Sequence, residues 1–150
     1  GMDFKSAKNF IDRFFEIRPK LKEFIKNTRE QAEKKGYVET LLGRRRPTPD
    51  VKSSNFAVRE AAYRAAVNLP IQGTAADIMK VAMIKVDKVL KEKHGGCEIL
   101  LQIHDSLLIE CDEDAAEEVS KAVKQTMEQA YKLPVEIAVE VDSGKNWGEI

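Results

Sequence analysis

Phe4, Ala7, Phe10, Ile11, Phe14 and Ile17 return every three to four positions and predict a helix ending before Pro19. Pro19 sits where proline opens a helix. Leu21, Phe24, Ile25 and Thr28 then carry a second apolar stripe toward Gly36, a natural residue just past a helix end. The aromatic side chains here are expected to be core. "YVETLLGRRRPTPD" has β-formers before Gly43 and two prolines after it, which reads as a short hairpin or irregular loop. "SSNFAVREAAYRAAVNLP" offers N-cap candidates, an alanine-rich helix and a proline stop at Pro70. Its small side chains let something bulky approach closely.

The pattern resumes with "QGTAADIMKVAMIKVDKVLKEKHGG", where Thr74 and Asp77 form a capping-box pair at a new helix start. Ile78, Met79, Ala82, Met83, Val86 and Leu90 form its buried stripe, and Gly95–Gly96 end it. "EILLQIHDSLLIEC", residues 98–111, is a nearly continuous apolar run broken at its centre by His104, Asp105 and Ser106, a strand–turn–strand signature. Residues 113–131 predict an amphipathic helix with Ala115, Val119, Ala122, Val123, Met127 and Ala130 facing inward. Acidic residues in its first turn suit the helix dipole. Val135, Ile137, Val139 and Val141 alternate with Glu136, Ala138 and Glu140, a half-buried strand. The order α-α-β-α-α-β-β-α-β predicts an α+β domain whose antiparallel sheet is covered by amphipathic helices.

Composition agrees with a globular domain: 150 residues, 43% hydrophobic and 33% charged. No apolar run approaches membrane-spanning length, and no signal-peptide pattern opens the chain. Gly1, ahead of Met2, reads as the remnant of a cleaved tag. A hairpin turning at His104–Asp105 sends Cys97 and Cys111 to opposite faces, so pairing is not expected. Two free thiols suit a reducing, cytoplasmic setting. Net charge is zero, but unevenly distributed. Residues 1–70 hold 16 Lys+Arg and 9 Asp+Glu, a net of +7, and residues 71–150 the reverse, −7. One half is a candidate phosphate-binding surface and the other could hold metal cations, although solvated helix faces give the same count.

Several residues could carry chemistry. Asp105 lies in a turn without Gly, Asn or Pro, between very apolar arms. A carboxylate fixed at the tip of a buried hairpin suits a hard cation; a solvated turn aspartate beside His104 is the alternative. His104–Asp105–Ser106 cannot form a hydrolytic relay, because triad members meet in space rather than as sequence neighbours. Glu110 is a second acid on the outgoing strand. Arg64, Asn68 and Gln72 are spaced by four residues, and such donors suit the acceptors that every base pair offers in the minor groove. A surface Arg64 paired with Glu60 is the alternative reading. Arg44, Arg45 and Arg46 are guanidiniums in a loop, suited to phosphate.

"GYVETLLGRRRPTPD", "REAAYRAAVNLPIQGTAADIMKVAM", "LLQIHDSLLIE" and "VEVDSGKNW" occur in the order and spacing of the C-terminal part of family A DNA polymerases, the bacterial DNA polymerase I type. The resemblance runs from about Phe4 to Trp147. "AKNFIDRFFEIRPKLKEFI" also resembles that family's fingers helices. The resemblance implies that residues of about 4–52 are distal fingers helices and a basic loop, and about 53–150 part of a palm whose antiparallel sheet carries a catalytic β-hairpin. It implies that Asp105 coordinates the Mg2+ ions that activate the primer 3′-hydroxyl and steady the leaving pyrophosphate. His104 and Gln102 would lie near the primer terminus. Arg64, Asn68 and Gln72 would contact the minor groove of the nascent duplex, and Arg44–Arg46 would line the nucleic-acid path. Primer–template DNA and dNTP are the implied partners of the complete enzyme, and an exposed palm face leaves room for a homodimer.

Two departures qualify the resemblance. Ser106 stands where the family commonly has Glu. The strand motif resembling D-Y-S-x-I-E-L-R, with the other catalytic aspartate, and the fingers helix resembling R-x-x-x-K-x-x-x-N-F-G-x-x-Y-G are absent from the sequence. In-line transfer needs two metals held by carboxylates from separate strands and a cation on the triphosphate, so these 150 residues alone are expected to be inactive. The readings are thus a polymerase segment, a stand-alone non-catalytic duplex-binding module, or, with least support, a phosphohydrolase using Asp105 and Glu110.

Overall fold

A computed structural model describes residues 3–150; Gly1 and Met2, including the expected tag remnant, lie outside the described residues. Two compact units divide at Thr74/Ala75.

The first unit opens with α1, Phe4–Glu16, capped by Asp3, whose carboxylate accepts the Ser6 N–H at 2.9 Å. Its aromatic positions are not core. Phe4 is 86% and Phe10 65% exposed, and α1 buries no residue completely. The stripe is helical as expected, but no second packing layer covers it among the described residues; Phe14 is instead covered by the Arg18 guanidinium at 4.4 Å. Helix α2, Pro19–Lys35, starts on proline and stops at Gly36 in the left-handed conformation, φ 75°, a geometry glycine adopts without a Cβ penalty.

The arginine-rich stretch is a hairpin. Strands β1, Tyr37–Glu39, and β2, Arg45–Pro47, pair antiparallel, with Val38 opposite Arg46. Thr40 closes the loop, its N–H donating to the Arg44 carbonyl at 2.9 Å and its Oγ1 accepting the Arg44 N–H at 3.1 Å. The core of this unit gathers Ala32, Val38, Val51, Tyr63 and Ala66.

Pro70 does not stop the next helix. A single helix, α3, runs from Phe56 to Lys93 with Pro70 inside it, so Thr74 and Asp77 are mid-helix residues and not a cap. Asn55 is the cap, its Oδ1 accepting the Ala57 N–H at 2.9 Å. An interior proline removes one donor and crowds the preceding turn, at roughly 3 kcal/mol. Just beyond it, the Thr74 hydroxyl donates to the Pro70 carbonyl and accepts the Leu41 N–H at 3.0 Å, tying the β1–β2 loop to the helix. Gly73 permits that approach, because a Cβ there would lie 2.7 Å from Thr40 Cγ2.

The second unit contains the C-terminal part of α3, the hairpin of β3, Glu98–Ile103, and β4, Ser106–Glu110, and helix α4, Ala116–Glu128. Its core joins Val86, Leu90, Cys97, Val119 and Val123, with Ile99, Leu107, Ile109 and Cys111 packed against them. Met79 and Ala82 are buried as the stripe predicts, and Lys85 Nζ donates to the Ala130 carbonyl at 2.9 Å, just past the end of α4. The α+β class holds, but the alternation at Val135–Val141 makes no strand. A strand exists by pairing, and no described strand lies beside this segment; Val135 is 70% exposed.

The expected placement of the two cysteines on opposite faces is also corrected. Near the turn the register is regular, Ile103 opposite Ser106 and Leu101 opposite Leu108, but it shifts by one residue between Ile99 and Leu101, after which Ile99 faces Ile109 and Glu98 faces Glu110. Leu100 is the extra residue of this bulge. The shift puts Cys97 and Cys111 on one face, in one cluster, where a regular hairpin separates them. Both are free thiols.

Candidate nucleic-acid interface and metal ligand

Arg64, Asn68 and Gln72 share one face of α3, four residues apart, and all three are exposed. The unbroken helix brings Gln72 into line with the other two, where a proline stop would have left it on a separate element. The pairing of Arg64 with Glu60 does not occur. Glu60 accepts from Arg29 Nη2 at 2.7 Å, and the same Arg29 guanidinium lies 4.0 Å from the centre of the Tyr63 ring. Tyr63 in turn donates to the Glu33 carboxylate, which together with burial holds its phenol above the usual tyrosine range. Sequence reading missed this group, although Arg29 and Glu33, like Glu60 and Tyr63, are spaced to share a helix face. It uses its charges on packing α2 against α3, and so leaves Arg64 outward with no side-chain partner among the described residues.

The loop arginines differ from one another. Arg45 lies 4.5 Å from the Tyr37 ring centre and its Nε donates to Glu39 Oε2 at 3.2 Å, so part of its charge is already engaged. Arg44, Arg45 and Arg46 are all exposed. With Arg64 they belong to the unit in which basic residues outnumber acidic ones.

Asp105 occupies the second position of the two-residue turn between β3 and β4, after His104 at φ 54°. Tight hairpins need a left-handed residue in such turns, and His is among the non-glycine types that tolerate it. Gln102 Nε2 donates to the His104 carbonyl at 3.0 Å, so Gln102, His104 and Asp105 come together at one end of the hairpin. The hairpin is not buried as expected: Gln102 through Ser106 are exposed, and Leu101 is 45% and Ile103 36% exposed. Glu110 lies at the far end of β4. Among the described residues no group of three His, Cys, Asp or Glu side chains could hold a metal ion. A hard dication such as Mg2+ takes about six oxygen ligands, and Asp105 could offer at most a carboxylate toward them, so these residues do not by themselves fit the ion.

The sequence model of DNA polymerase family A matches residues 1–149. The chain belongs to DNA polymerase family A. A family A relative, the thermostable DNA polymerase I of Thermus filiformis, is 50% identical over 99% of this chain and 18% of its own length. DNA polymerase I of Lactococcus lactis subsp. cremoris is 44% identical over 99% of this chain and 17% of its own. The chain thus spans less than a fifth of these family A relatives. Among solved family A structures, the POL domain of Pol1 from M. smegmatis, in complex with DNA primer-template and dNTP, superposes with a TM-score of 0.85 at 44% identity, covering 90% of this chain and 24% of that one. Among the described residues no helix is long and apolar enough to cross a membrane.

Proposed function

We propose that this chain is the distal-fingers and palm segment of a DNA-directed DNA polymerase, working in template-directed nucleotidyl transfer during replication or repair. The observation that carries the proposal is the whole-chain family A match together with a 0.85 TM-score to a polymerase domain solved with primer-template and dNTP. In this reading residues of about 4–52 are fingers and the basic loop, and about 53–150 palm.

Arg64, Asn68 and Gln72 track the minor groove, where donors on one ridge test duplex shape without reading sequence. Arg44, Arg45 and Arg46 lie along the phosphate path, where Arg45 also keeps its bond to the Glu39 carboxylate. Asp105 is one carboxylate of a Mg2+ site completed by residues beyond this chain. His104 and Gln102 hold the turn that presents it and border the primer terminus. The complete enzyme takes primer–template DNA and dNTP. The chain alone, with one carboxylate ligand, binds duplex but does not extend primers. Its relatives are bacterial DNA polymerases I, which supports a cytoplasmic location. A homodimer through the exposed Leu101 and Ile103 face belongs to the same proposal, and sedimentation across a concentration series tests it.

The test pairs two measurements. Fluorescence anisotropy should show the 150-residue chain binding primer–template with a steep salt dependence, weakened by Arg64→Ala, while a Mg2+-supported primer-extension assay shows no product. In a complete polymerase carrying this segment, Asp105→Ala should remove most incorporation and leave DNA affinity largely intact. Near-normal incorporation by that variant would remove Asp105 from the metal site; extension by the isolated chain would show that the segment is sufficient.

A further inference from the structure

We propose that Cys97 and Cys111 form a reversible cross-strand disulfide that closes the open end of the β3–β4 hairpin, a redox modification site at the base of the element carrying Asp105. The proposal stands apart from the polymerase reading and rests on the bulge. With Glu98 opposite Glu110, one further step along the shifted register sets Cys97 opposite Cys111. Alternate residues of a strand share a face. Ile99 on one arm and Leu107 and Ile109 on the other pack against the same buried cluster as both cysteines, so both thiols point inward together. Directly opposed residues in an antiparallel pair have Cα atoms about 4.5–5.5 Å apart, inside the roughly 4.4–6.8 Å that a disulfide spans. The Cys111 thiol is pushed up by burial first and then by the neighbouring Cys97.

Cys97 is buried and Cys111 half-buried, so Cys111 meets an oxidant first. With a small disulfide such as glutathione disulfide, the Cys111 thiolate attacks one sulfur and expels a thiolate, giving a mixed disulfide. Cys97, after losing its proton, attacks the Cys111 sulfur and expels the second thiolate. Two cysteine thiols become one disulfide, and the oxidant leaves as two thiols. The ring encloses the 15 residues from Cys97 to Cys111 and leaves the Asp105 carboxylate exposed at its far end.

The test equilibrates the chain with defined ratios of reduced and oxidised glutathione, in native buffer and in concentrated urea. Remaining thiols are then trapped with a maleimide and the products weighed. The expected result is an intramolecular product two hydrogens lighter than the reduced chain. Its equilibrium constant should be at least about tenfold larger in the native state, because the fold holds the sulfurs together. An equal or smaller constant in the native state would overturn the proposal. So would native products dominated by glutathione adducts or by linked chains.

Discussion

Replacing Gly73 by alanine sets two effects of similar size against each other. Alanine in place of glycine inside a helix stabilises by about 1 kcal/mol. The new Cβ, however, would sit 2.7 Å from Thr40 Cγ2, well inside the roughly 3.5–4.0 Å of an ordinary carbon contact. Thr40 has little room to yield. It is 4% exposed, its β-branched side chain is stiff, and its Oγ1 holds the Arg44 N–H. Turning the methyl away loosens that hydrogen bond; moving the loop instead loosens the bond from Leu41 N–H to Thr74 Oγ1. Overpacking of this kind costs about 1–3 kcal/mol, so the net effect is destabilisation by about 1 kcal/mol. Followed by circular dichroism, the urea midpoint of Gly73→Ala should fall by roughly 0.5–1 M. In a Thr40→Ser background the methyl is gone and the hydroxyl kept, and the same substitution should then stabilise by up to about 1 kcal/mol. Stabilisation of the native background by Gly73→Ala, or equal effects in both backgrounds, would refute the close approach.

Two further outcomes follow from packing and charge. Leu90→Ala, at a 1% exposed position of the second core, should cost about 2–4 kcal/mol in urea unfolding; a loss under about 1 kcal/mol would mean the site is not packed. Tyr63 holds its proton above its free value of 10.0 when folded, so its contribution to stability is complete below that pH and is lost as pH rises through the higher folded value. The stability gap between the native chain and Tyr63→Phe should therefore narrow above about pH 10 in urea titrations, and a constant gap would deny the raised phenol.

What the sequence shows is mostly local, and what it conceals is mostly partnership. The Met79–Leu90 stripe and the Pro19 and Gly36 boundaries were readable because helical spacing and backbone preference act within a few residues. Asp105 and the Arg64–Asn68–Gln72 spacing could likewise be picked out, since motif and period carry them. Pro70 misled because a proline rule is local, while the helix through it is tied to Leu41, far away in the chain. The alternative pairing of Glu60 with Arg64 considers only one helix, while the actual partner, Arg29, belongs to another. The Val135–Val141 alternation is a true strand pattern with nothing described to pair with, and the α1 aromatics are a true apolar stripe with nothing described on top. The cysteines turned on a single extra residue, Leu100, which no alternation rule anticipates.

The β3–β4 hairpin has a consequence for how this chain behaves in a tube. Among the described residues it is a two-stranded sheet, so the outer edge of each arm offers a row of backbone donors and acceptors without a neighbouring strand. Leu100, Leu101 and Ile103 stand exposed along one arm, in a segment without proline or glycine. Such edges template the addition of further strands. Concentrated solutions should therefore lose material to β-rich assemblies before the helices melt, and a lysine at Leu101 should delay that loss more than one on any exposed helix position.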